Sequence, residues 1–125
     1  ETVKAMEATG KPIIASMGML DDFDKKHGSV PSIKNAKYLY CVSDYPAFIR
    51  AKDFPDKFDD EIVVGFSDHT VGIEWAMEAI KRGATIIEKH FTLDKRLPGC
   101  DQSCSANPKV MKELQEFINN YERTN

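Results

Sequence analysis

Four short apolar runs constrain this chain more than any other feature. They are KPIIAS (11–16), KYLYCVS (37–43), EIVVGFS (61–67) and ATIIEKHFT (84–92), each rich in Ile, Val or Tyr and each ending in polar side chains. Runs of this length and composition predict strands. Between the last two lies VGIEWAMEAIKRG (71–83), where Ile73, Ala76, Met77 and Ile80 recur at helical spacing and Gly83 closes the segment. ETVKAMEA (1–8) has helical composition and stops at Gly10. LDDFDKKHG (20–28) reads as a short helix, with acids in its first turn and Lys25, Lys26 and His27 in its last. PKVMKELQEFINNYER (108–123) starts on a proline, with Val110, Leu114, Phe117, Ile118 and Tyr121 on one side. The segment 47–60 is a polar connection with weak helical patterning, broken at Pro55.

Strands alternating with helices predict an α/β fold with parallel pairing through right-handed crossovers. Four such units make half of an eight-stranded barrel or a small open sheet. A length of 125 residues fits one compact domain, 1–125. The chain starts without methionine, directly in helical pattern, and reads as a piece of something longer. A net charge of −3 and no basic stripe argue against nucleic acid as partner. No apolar run reaches membrane-spanning length, and ETVKAMEATG does not resemble a signal peptide. Three sparse cysteines, Cys41, Cys100 and Cys104, fit a reducing cytoplasm better than a disulfide framework.

In both candidate architectures chemistry sits at the C-terminal ends of the strands. Side chains on a strand alternate between faces. Ile14 and Ser16 therefore share a face, as do Cys41, Ser43 and Tyr45, then Gly65, Ser67 and His69, then Glu88, His90 and Thr92. One face thus collects hydroxyls, a phenol and two imidazoles at its polar end. A single strand-end histidine is ordinary packing, but two at equivalent positions of neighbouring units point to a divalent metal. No third ligand has zinc-type spacing, so the pattern favours an open ion completed by water and substrate oxygens. Asp68 either orients a His69 ring nitrogen or, by its parity, caps the helix that follows. Ser16, Ser43 and Ser67 either hold a phosphate or carboxylate or cap the following helices. His27 is explained by helix-end electrostatics, Cys100 and Cys104 lack a second pair for zinc, and Trp75, Met6, Met77 and Met111 read as core or helix-face residues.

The motifs GFSDHT, IIEKHFTLDK and PGCDQSCSANP, with KPIIASMGM and CVSDYP before them, resemble the sialic acid synthase family. That family comprises N-acetylneuraminate synthases and their pseudaminic, legionaminic and spore-coat relatives. The resemblance runs over essentially the whole chain, as strands five to eight of a (β/α)8 TIM barrel. It implies condensation of phosphoenolpyruvate with an N-acetylated hexosamine, typically N-acetylmannosamine, to a nine-carbon keto sugar acid and phosphate. It implies a divalent metal, Mn2+ or else Mg2+, on His69 and His90, which are also the catalytic residues. Ser16, Ser43 and Ser67 match positions for phosphoenolpyruvate, and Tyr45 and Asp101 match residues contacting the amino sugar. The resemblance further implies that the first four strands and an antifreeze-like C-terminal domain lie outside this chain.

The family usually reads STGM where this chain has Ser16, Met17, Gly18 and Met19, and the connections 19–41 and 46–65 look short. A half-barrel has two raw sheet edges, which predicts a homo-oligomer, a dimer closing a pseudo-barrel being the simplest. The competing readings are a non-catalytic half-barrel or binding module and, more weakly, a metal-dependent hydrolase.

Overall fold

The computed structural model describes residues 1–19, 31–58 and 61–125. The helix expected over 20–28, with Lys25, Lys26, His27 and Gly28, lies outside the described residues. Helix α1 (Thr2–Ala8) is followed by strand β1 (Ile13–Ser16) and strand β2 (Ala36–Cys41). A 3-10 turn (Ala51–Asp53), strand β3 (Val63–Asp68), helix α2 (Glu74–Lys81), strand β4 (Ile86–Lys89) and helix α3 (Pro108–Thr124) complete the order. Among the described residues no helix is long and apolar enough to cross a membrane.

The four strands pair in parallel in the order β1-β2-β3-β4. Consecutive order means that every crossover steps the same way. A doubly wound open sheet reverses direction partway; this one does not. Its curvature separates it further from an open sheet. In a flat sheet β1 and β4 would stand about 14 Å apart, three strand spacings. Here Ser16 Oγ of β1 lies 3.3 Å from Glu88 Oε2 of β4. The sheet curls until its edge strands share a hydrogen bond across the concave face, which is the geometry of a half-barrel.

The convex face carries the core. Met17, Tyr38, Tyr40 and Phe66 pack with Ala79 of α2 and with Phe54 and Phe58 of the β2–β3 connection. Among the described residues that connection contains only a 3-10 turn, yet Phe54 is fully buried, with ring contacts to Tyr40, Phe58, Phe66 and Trp75. Ile73, Ala76 and Ile80 of α2 meet Leu114 of α3, with Val110, Phe117, Ile118 and Tyr121 packed around them. Both helical stripes therefore face inward as their spacing predicts. Asn107 caps α3, its side-chain oxygen accepting from the Val110 amide at 2.9 Å, with Pro108 in the first turn.

Two strands are shorter than the apolar runs suggest. β2 ends at Cys41, before Val42 and Ser43, and β4 ends at Lys89, before His90. The backbone beyond each end bonds to loops instead. The Ala47 amide donates to the His69 carbonyl at 2.9 Å, and the Ala106 amide to the His90 carbonyl at 2.7 Å. A parallel bridge joins Phe91 to Ala106. At Gly65 an added Cβ would lie 2.0 Å from the Ile86 carbonyl oxygen, so glycine lets β3 and β4 pass closely just below the polar strand ends.

Candidate functional site

The concave face opens into a cavity of about 830 Å³ at the C-terminal ends of the strands. Ser16, Ser43, Tyr45, Ser67, His69 and His90 all line it, on the shared face that period-two alternation predicts. Asp101 does not line it, but stands at its edge beside His90.

His69 sits just past β3 and is buried. Its Nδ1 lies 2.9 Å from the Val42 carbonyl oxygen, with Cys41 Sγ at 3.7 Å. A carbonyl can only accept, so Nδ1 carries the proton and the Nε2 lone pair is left for another partner. The Tyr45 ring lies against His69, centroids 4.3 Å apart and tilted by 31°. The same ring meets His90 edge-on at 5.6 Å. The two imidazoles stand 5.2 Å apart, centroid to centroid. Rings at this spacing fall within the span of one ion bound through nitrogen at about 2.0–2.1 Å.

His90 is held more loosely. Its side chain is 36% exposed, and its Nδ1 is 3.6 Å from Asp101 Oδ2. Asp101 is anchored by its own carbonyl, which accepts from the Ser105 amide at 3.1 Å and the Ser105 hydroxyl at 2.8 Å. The loop carrying PGCD is thus tied back beside His90. Among the described residues no group of three or more His, Cys, Asp or Glu is arranged to hold a metal ion. Two imidazoles with open positions fit an ion completed by water or substrate oxygens, and do not fit a closed structural site.

The serines divide. Ser67, buried, donates to Glu88 Oε2 at 2.6 Å, and Ser16 donates to the same oxygen at 3.3 Å. Ser43 lies under Gly18, where an added Cβ would come within 1.9 Å of its Oγ. The capping alternative does not hold for Ser67, because the N-cap of α2 is Ile73, with no side-chain cap. Both alternatives for Asp68 also give way. Its carboxylate faces the convex side, accepts from Thr70, and is paired with Lys89, while the His69 ring is oriented by Val42. Tyr45 stays a neutral phenol: desolvation first, then the nearby Cys41, Asp101, Cys104 and Glu88, pushes its pKa up.

Sequence reasoning left Glu88 and Lys89 without roles. The signal for Glu88 was present, since it shares a face with His90. The signal for Lys89 was its outward parity opposite Asp68.

The NeuB family model matches residues 1–125. The chain belongs to the NeuB family. It is 36% identical over 126 residues to an N,N'-diacetyllegionaminic acid synthase of Legionella pneumophila, covering 89% of this chain and 35% of that protein. It is 34% identical over 122 residues to an N-acetylneuraminate-9-phosphate synthase of Mus musculus, covering 91% of this chain and 34% of that one. The chain spans about a third of the length of these curated relatives. Among solved structures, the N-acetylneuraminic acid (sialic acid) synthetase of Leptospira borgpetersenii superposes with a TM-score of 0.72 at 29% identity, covering 98% of this chain and 46% of that one. That synthetase thus shares the half-barrel fold with this chain.

Proposed function

We propose that this NeuB-family chain forms strands five to eight of a (β/α)8 barrel and carries the metal-binding part of a sialic acid-type synthase site. The reaction joins carbon 3 of phosphoenolpyruvate to the aldehyde carbon of an N-acetylated hexosamine such as N-acetylmannosamine. Water adds at carbon 2, the C–O bond to phosphate breaks, and a nine-carbon keto sugar acid and phosphate leave. The observation that carries this reading is the pair of imidazoles 5.2 Å apart at the strand ends, one with its Nε2 lone pair exposed by the Val42 bond.

His69 and His90 would hold a divalent ion, Mn2+ or Mg2+. Such an ion supplies Lewis-acid polarisation of the sugar carbonyl. The names of the relatives support a sugar-acid product. Ser16, Ser43 and Ser67 offer hydroxyl donors to the phosphate and carboxylate of phosphoenolpyruvate. Because Ser16 and Ser67 now donate to Glu88, an incoming anion must take over as their acceptor, which a hydroxyl rotation achieves. Tyr45 offers a neutral phenol and a ring face to the sugar, and Asp101 a carboxylate at the same rim.

Manganese titration followed by electron paramagnetic resonance tests the reading. The chain is expected to bind the ion, and the double variant His69→Ala, His90→Ala to lose it. Absence of binding in the parent chain would remove the metal from the scheme.

A second reading concerns assembly. Ile14 on the concave face of the edge strand β1 is 57% exposed, and Leu93 beyond β4 is 76% exposed. Apolar groups at both sheet edges favour pairing of the half-barrel with another copy of itself. Light scattering after size exclusion is expected to show a dimer; a monomer at high concentration ends this reading.

A further inference from the structure

Directly behind the two histidines, on the convex face, lies a charged pair that the proposed reaction does not use. Asp68 and Lys89 are register partners across β3 and β4. Their side chains are 0% and 2% exposed. Lys89 Nζ donates to Asp68 Oδ2 at 3.1 Å and to the Thr70 carbonyl at 2.9 Å. The other Asp68 oxygen accepts from the Thr70 amide at 2.8 Å and the Thr70 hydroxyl at 2.6 Å. No side-chain polar atom of the three residues is left buried without a partner.

Taking two charges out of water is costly, and apolar residues of similar volume often serve such a place as well or better. Stability alone is a poor reason for an ion pair here. Geometry is a better one. Each buried ion has the other as its charged partner, which favours pairing of β3 and β4 in one register and with one facing. Asp68 is flanked by Ser67 and His69, and Lys89 by Glu88 and His90. A slip of one residue would turn the charges into the cavity and the imidazoles into the core. The bonds to both the amide and the carbonyl of Thr70 also hold the backbone on the far side of His69.

We propose that Asp68 and Lys89 are positioning residues, whose buried pair sets the separation and facing of His69 and His90. The inference rests on the metal reading only in the affinity arm of its test. The double variant Asp68→Asn, Lys89→Met removes both charges at similar size. Its unfolding midpoint is expected near that of the parent chain. Its affinity for Co2+ is expected to fall by about 10–100-fold, with a changed visible spectrum. In the metal-free protein, nuclear Overhauser contacts between the two imidazole rings are expected in the parent and weakened in the variant. A variant of parental stability with unchanged ring contacts and unchanged cobalt affinity overturns the proposal. A parent that binds no cobalt defeats the metal reading, while the ring contacts still decide the positioning role. Should the double variant not fold, Thr70→Val removes one donor to Asp68 and leaves both charges. Weakened ring contacts there support the proposal, and parental ones overturn it.

Discussion

The two strands that carry the histidines are built unlike each other. β3 is buried at all six positions. β4, at the sheet edge, is half-buried at three positions and exposed at Glu88. The difference passes to the imidazoles. His69 is held by a backbone carbonyl and a stacked phenol inside the fold. His90 leans on Asp101, a loop residue at 3.6 Å. One half of the centre is therefore core and the other half rim. Polar groups persist in the buried half because each has a partner: Ser67 has Glu88, Asp68 has Lys89, and His69 has Val42.

The largest test of this contrast is packing. Phe66→Ala in β3 is expected to cost about 3–5 kcal/mol in urea unfolding, a fully buried aromatic lost from a filled core. Ile87→Ala in β4, only partly buried, is expected to cost about 1–2 kcal/mol. Equal losses would erase the distinction between core strand and rim strand.

The next test is at the rim itself. Asp101→Asn is expected to weaken Mn2+ binding about tenfold, since it removes the carboxylate beside His90 Nδ1. Its stability should stay within about 0.5 kcal/mol of the parent, because the Asp101 backbone, not its side chain, ties the loop. A stability loss with unchanged manganese affinity would place Asp101 in the core's half of the comparison. At the opposite edge, Ile14→Ser should likewise change stability by no more than about 0.5 kcal/mol, measured at a concentration where the chain is a single species.

The smallest effect is a titration. The folded chain raises the Tyr45 phenol above its ordinary 10.0. The folded state therefore binds this proton more tightly than the unfolded chain does. The linked stability is complete below the unfolded value and is lost as pH rises through the folded one. An ultraviolet difference titration of the parent against Tyr45→Phe should find this phenol ionising above 10.0. Ionisation at or below 10 would mean that desolvation and the neighbouring acidic groups do not raise it.

Much of the site was legible before any coordinates, for a local reason. Period-two alternation put Ser16, Ser67, His69 and His90 on one face, and that face lines the cavity. The helical stripes of α2 and α3 were equally plain, because 3.6-residue periodicity is a property of the segment alone. What stayed hidden depended on partners far away in the chain. Phe54 lies in a segment with only weak patterning, and its burial is decided by Tyr40, Phe66 and Trp75. The role of Glu88 as acceptor for two serines depends on the curl of the sheet, which brings β1 within reach of β4.

The amino-acid order alone determined which residues alternate, which helical faces are apolar, and which polar groups end each strand. Those are consequences of backbone geometry within a few residues. Only the tertiary structure decided that the strands follow one another in a single direction, that the sheet curls, and that Asp68 meets Lys89 behind the histidines. Those outcomes are set by packing between segments that lie 21 to 72 residues apart in the chain, where local periodicity carries no information.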